Sequence, residues 1–138
     1  MTLRHKGREC ALQMLYQWEL SGAAPARVQA TFWRTTRGSH ETRLFANKLF
    51  EGAVAGAGEI DQLIALHALN WRLERMAAID RNILRLAVHE LLCGENPVKV
   101  VINEALDLTK KFSEPDAVPF INGVLDEIRK STETPKPA

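Results

Sequence analysis

Cysteine is scarce: only Cys10 and Cys93 occur in 138 residues, and neither has a CxxC partner. A disulfide framework and a thiolate metal site are therefore excluded. Both thiols lie in apolar surroundings and read as buried side chains of a reduced compartment. The four histidines, His5, His40, His67 and His89, are scattered without metal-ligand spacing. No P-loop, GxSxG or GxGxxG occurs. GAVAGAG, from Gly52, sits inside a helical pattern instead of after a strand, so it does not read as a phosphate loop. The apolar runs are far too short to span a bilayer. The cationic N-terminus is followed by Glu9, Gln13, Gln17 and Glu19, which break up any signal-peptide core. Charge of one sign is missing too: 18 Lys and Arg face 17 Asp and Glu, a formal net charge of +1. Affinity for nucleic acid must then come from local clustering. Sustained strand alternation and internal repeats are also absent. What remains is a cytoplasmic helical protein with no catalytic constellation, no metal and no cofactor.

The strongest positive signal is the stretch from Ile79 to Cys93. At about 100° per residue its apolar positions, Ile79, Ile83, Leu84, Leu86, Ala87, Val88, Leu91 and Leu92, cover roughly two-thirds of a helical wheel. A helix apolar over that much of its circumference is covered by several neighbours. Arg81, Asn82, Arg85 and His89 form a narrow polar strip, which reads as a solvated edge or as a docking edge for a partner. Asp80 suits the positive end of the helix dipole, and Gly94 with Pro97 stops the helix.

Other helices are expected on either side. Residues 9–20 carry an apolar face of Cys10, Ala11, Met14, Leu15 and Trp18, and Ser21-Gly22 ends them. Pro25 opens a short helix through Arg34 with Val28, Phe32 and Trp33 as contacts. After the loop 35–39, one long helix is expected from His40 to about Leu66. Gly52, Gly56 and Gly58 within it mark either a close approach or a kink. Asn70 is a candidate cap for a turn, WRLERM, that leads into the central helix. Residues 98–112 show a stripe of Val101, Ala105, Leu108 and Phe112. The last helix spans about 117–130 with Ile121, Val124, Leu125 and Ile128 inward and Phe120 at the rim. Asp61, Glu74, Asp80 and Glu90 read as solvated helix-face acids. The tail, 131–138, is expected to be disordered. The fold class is all-α, with six or seven helices joined by short connections.

One surface carries chemistry. Arg4, Lys6 and Arg8 precede the first expected helix with no acid among them, and Tyr16 falls off that helix's apolar face. Cations neutralise phosphates, and exposed aromatics receive unstacked bases. For both aromatics to border one basic surface, the last helix must lie beside the first.

RECALQMLYQWELSG (8–22), ILRLAVHEL (83–91), VKVVINEALDLTKKF (98–112) and FINGVLDEI (120–128), in this order and spacing, resemble the NusB family of bacterial transcription antitermination factors. The resemblance implies two three-helix bundles packed together and no enzymatic activity. It implies binding to the single-stranded boxA element of ribosomal-RNA operon transcripts. The implied protein partners are NusE, a small-subunit ribosomal protein, and the RNA polymerase antitermination complex. Carried over residue by residue, it assigns RNA contact to Arg4, Lys6, Arg8, Tyr16, Asp116 and Phe120. It assigns the NusE-facing acid to Asp80, and the strip residues Arg81 and Arg85 are taken with it. His5 and Gly7 interrupt the family's denser arginine stretch. Two other readings stand beside this one. A NusB-like domain of a ribosomal-RNA cytosine methyltransferase would be followed by a Rossmann-type segment and a catalytic-cysteine motif, and the sequence shows neither. A homodimeric helical regulator would cover the basic N-terminus.

Overall fold

A computed structural model describes residues 2–68 and 73–132. The expected cap at Asn70, Trp71 in the turn after it, and the tail from 133 onward lie outside the described residues. Seven α-helices are described: α1 Leu3–Ser21, α2 Pro25–Thr35, α3 His40–Ala55, α4 Ala57–His67, α5 Ala78–Cys93, α6 Val98–Phe112 and α7 Ala117–Thr132. A single 3₁₀ turn, Leu73–Arg75, precedes α5. Among the described residues no strand occurs, and no helix is long and apolar enough to cross a membrane.

The boundaries follow local chemistry. Gly22 (φ 67°) and Gly94 (φ 68°) close α1 and α5 in the left-handed conformation that a Cβ disfavours. Pro25 opens α2 at a position that needs no N–H. Ser39 caps α3 by accepting from the Thr42 N–H at 3.1 Å. α1 begins earlier than expected. The Thr2 hydroxyl accepts from the His5 N–H at 3.1 Å, so the basic stretch is itself the first two turns of the helix. The expected long helix is two helices broken at Gly56, which ends α3 and starts α4. The glycines in it divide the labour. A Cβ on Gly52 would collide with the His89 ring, so that position is a close approach to α5, whereas Gly58 faces open space. α7 continues through Thr132, two residues into the expected tail.

α1, α2 and α3 form one bundle, and α4, α5, α6 and α7 form a second. α5 joins them by packing on α1 and α3 as well as on α4, α6 and α7. Its Ile83, Leu84, Leu86 and Val88 are buried with Leu12, Met14 and Leu15 of α1, Phe50 of α3, and Ile121, Leu125 and Ile128 of α7. Leu91 is half-buried and Leu92 exposed, because the last turn of α5 emerges from the core. Cys10 is buried, but Cys93, on that emerging turn, is exposed.

The polar strip of α5 is not solvated. Asn82 and Arg85 are buried, and Arg81 is half-buried. Arg81 forks onto Glu19 with Nε–Oε1 2.6 Å and Nη2–Oε2 2.7 Å. Its Nη1 donates to the carbonyls of Leu73 and Met76. Arg85 forks onto Asp61 at 2.8 and 2.9 Å and reaches Glu19 at 2.6 Å. One acid from α1 and one from α4 thus clamp the start of α5. Hydrogen bonds from Arg81, with those from Arg85, hold the Glu19 carboxyl below the usual range despite partial burial.

Candidate nucleic-acid interface

The three N-terminal cations do not form one free cluster. Residues 4 and 8 are one helical turn apart and share a face, while Lys6 lies on the other side. Both guanidiniums on the shared face sit over the Phe45 ring, 5.3 and 5.5 Å from its centroid. Arg4 is exposed and donates to Asn96 Oδ1 at 2.7 Å. Arg8 is only 2% exposed. Its Nε and Nη2 donate to the two carboxylate oxygens of Glu90 at 2.9 and 2.8 Å, and Glu104 lies 3.7 Å away. Burial pulls the Arg8 pKa down, but the Glu90 hydrogen bonds and the charges of Glu90 and Glu104 outweigh it, so the group stays fully charged. The sequence reading of Arg8 as an exposed phosphate contact is corrected. So is the reading of Glu90 and Asp61 as solvated acids, since each is the counter-charge of an arginine on another helix.

A second charged chain links α1 to α6. His5 Nδ1 is 2.7 Å from Glu104 Oε2, and His5 Nε2 is 3.2 Å from Glu9. The buried Glu9 carboxylate accepts from Lys111 Nζ at 2.8 Å. Lys111 keeps half of its side chain in solvent. It was not among the residues singled out in the sequence, although the doublet Lys110-Lys111 at a helix C-terminus was the available signal.

Tyr16 is 37% exposed, on the same face of α1 as Gln13 and Glu9. It lines a groove of about 400 Å³ between α1 and α2 with Leu20, Arg27 and Thr31. Asp116 and Phe120 line a different cavity, of about 470 Å³, at the junction of α5, α6 and α7. The expectation that α7 lies beside α1 is corrected: α7 packs chiefly on α4, α5 and α6. Lys111, near the end of α6, reaches Glu9 of α1, and Ser113, which follows α6, lines the Phe120 cavity. Asp80 lines the Phe120 cavity too, and accepts from Ser113 Oγ at 2.6 Å. Asp80, assigned to the protein partner, is therefore a neighbour of Asp116 and Phe120, assigned to RNA. Arg75, Met76 and Glu114 are also on its lining.

Among the described residues no group of His, Cys, Asp or Glu is placed to hold a metal ion. No buried side-chain nitrogen or oxygen lacks a hydrogen-bond partner among them.

Comparison with known proteins agrees with this architecture. The model of the NusB family matches residues 5–130. The chain belongs to the NusB family. The transcription antitermination protein NusB of Koribacter versatilis is 46% identical over 132 residues, covering 94% of this chain and 90% of the relative. That of Sorangium cellulosum is 43% identical, covering 95% and 94%. A crystal structure of the antitermination factors NusB and NusE in complex with double-stranded RNA aligns with a TM-score of 0.86 at 32% identity, covering 95% of this chain and 98% of that one. The solution structure of NusB from Aquifex aeolicus aligns at 0.84 with 30% identity, covering 100% and 96%. The NusB match includes Lys6, Tyr16, Asp80, Asp116 and Phe120 and begins one residue after Arg4.

Proposed function

We propose that this chain is a noncatalytic transcription antitermination factor of the cytoplasm. It binds boxA-type single-stranded RNA in ribosomal-RNA operon transcripts together with NusE, as part of the RNA polymerase antitermination complex. Relatives at more than 40% identity carry the name of transcription antitermination proteins. A neighbour of the same fold was solved with NusE and double-stranded RNA. The observation on this chain that carries the reading is the exposed Tyr16 ring on the face of α1 whose Glu9 accepts from Lys111 of α6. Phosphates are neutralised by Arg4, Lys6 and Lys111, and bases are received by Tyr16 and Phe120 with Asp116 beside them. Arg8 serves this surface indirectly: its fork to Glu90 holds the first turns of α1 in place. Asp80 faces NusE, and Arg81 and Arg85 hold the start of α5 that presents it.

The test is a titration with boxA-type RNA and with a scrambled RNA, with and without NusE, at two salt concentrations. The reading expects preference for boxA-type RNA, tighter binding with NusE, and a salt dependence that reports phosphate contacts. Equal binding of the two RNAs with NusE present would refute it.

A further inference from the structure

A second excess of positive charge lies beyond the N-terminus. Between residues 22 and 50, Arg27, Arg34, Arg37, Arg43 and Lys48 face a single acid, Glu41. Two of these cations are engaged: Arg43 sits over the Trp33 ring at 5.3 Å, and Lys48 pairs with Glu95 at 3.3 Å. Arg27, Arg34 and Arg37 are exposed, and no described acid pairs with them. On α2, positions 27, 31 and 34 are four and three residues apart and form one stripe, while Val28 and Phe32 turn into the core. The stripe runs about 10 Å along the helix. Its first two members, Arg27 and Thr31, form one wall of the groove whose other wall carries Tyr16 and Leu20. The lining includes Ala23 and Val28 and no acidic residue.

We propose that this α1–α2 groove seats unpaired nucleotides flanking the recognised RNA element, with a base against Tyr16 and Leu20 and the backbone phosphates on Arg27 and Arg34. The proposal rests on the RNA reading above and extends it along α2. Three features favour single-stranded RNA as the occupant. The one charged residue of the lining, Arg27, is positive, and Arg34 extends that charge along α2, which matches phosphate and not a basic partner. An aromatic face beside an apolar floor accepts an unstacked base, which a duplex does not offer. The groove is also continuous with the proposed RNA surface, because Tyr16 belongs to both.

The experiment compares a core boxA-type RNA with the same RNA extended at either end by about six unpaired nucleotides, a length typical of single-strand sites. One of the two extensions tightens binding to the wild-type chain and steepens its salt dependence. Two phosphate contacts on a single strand add a log–log slope of about 1.4, so the gain shrinks about sevenfold between 50 and 200 mM salt. Arg27→Gln with Arg34→Gln removes that gain and its slope and leaves binding of the core RNA unchanged. Both residues are exposed, and an unchanged far-ultraviolet circular dichroism spectrum confirms folding. Thr31→Arg, which adds a cation to the same stripe, enlarges the gain. If the double variant binds extended RNA like wild type, or if neither extension tightens binding, the groove is not a nucleotide site while the RNA reading stands. If the wild-type chain with NusE does not prefer the core boxA-type RNA, the reading itself fails. A base-paired flank that gives the same gain overturns the seating of a base. Loss of NusE binding with RNA binding intact makes the stripe a protein-docking face instead.

Discussion

Replacing Arg8 by Ala leaves Glu90 charged and without its fork in a part of the core where Glu90 itself is only 4% exposed. Both carboxylate oxygens lose a charge-assisted hydrogen bond of 2.8–2.9 Å. What remains to Glu90 is a contact with Asn96 Nδ2 at 3.3 Å. Breaking a buried pair in this way costs about 3–5 kcal/mol, most of it the burden of the stranded charge. Arg8→Lys keeps the charge but not the planar two-pronged donor, so it recovers only part of the loss. Removing both partners, as in Arg8→Met with Glu90→Leu, removes the stranded charge as well. Stability then returns to the wild-type value or exceeds it. Equilibrium urea unfolding, with its slope checked against wild type, measures all three variants. The double variant also separates structure from RNA contact. A guanidinium committed to Glu90 neutralises no phosphate, so the salt slope of RNA binding stays at its wild-type value. An Arg8→Ala cost below about 1 kcal/mol would refute the buried-pair account.

Three further outcomes follow from the packing. Gly52→Ala pushes a methyl group into the His89 ring and costs about 1–3 kcal/mol, whereas the same change at Gly58, which faces open space, has no steric cost. Pairing Gly52→Ala with His89→Ala restores most of the loss, and thermal unfolding reads the cycle. Leu84→Ala, at a fully buried position of α5, costs about 2–5 kcal/mol in urea unfolding, and a cost below about 1 kcal/mol would place Leu84 outside the core. Glu19 has a folded-state pKa below its unfolded value of about 4.3, so its stabilisation is complete above that pH and is lost as the pH falls through the lower folded value. Glu19→Gln therefore flattens the fall of stability in acid, and an unchanged acid limb would show that the Arg81–Glu19–Arg85 clamp contributes no pH dependence.

Helical stripes and helix ends were readable from local residue order, because periodicity and capping are local properties. The stripe Val101, Ala105, Leu108 and Phe112 packs inward, and the stops at Gly22 and Gly94 and the start at Pro25 stand where their backbone chemistry puts them. Tyr16 was legible as an exposed ring for the same reason. The arginine pairs were not legible. Arg8 and Glu90 are 82 residues apart, and Arg85 meets Glu19 and Asp61 across 66 and 24 residues. A cation whose counter-charge arrives from another helix looks in the sequence like a cation facing water, which is why the α5 strip read as an edge and Arg8 as a free contact. The break at Gly56 was ambiguous because a helical stripe continues in register across it. The bridging role of Lys111 depends on how α6 meets α1, and no spacing within either helix encodes that.

The central claim, that this chain reads RNA sequence through the exposed Tyr16 ring and the half-buried Phe120 ring and not merely through charge, is tested most directly at Tyr16. With NusE present, the affinities of wild type and Tyr16→Ala are measured for boxA-type and scrambled RNA across a salt series. The account predicts a loss on the order of 1–3 kcal/mol on boxA-type RNA, a smaller loss on scrambled RNA and an unchanged salt slope. Equal losses on both RNAs, or no loss on either, would contradict it.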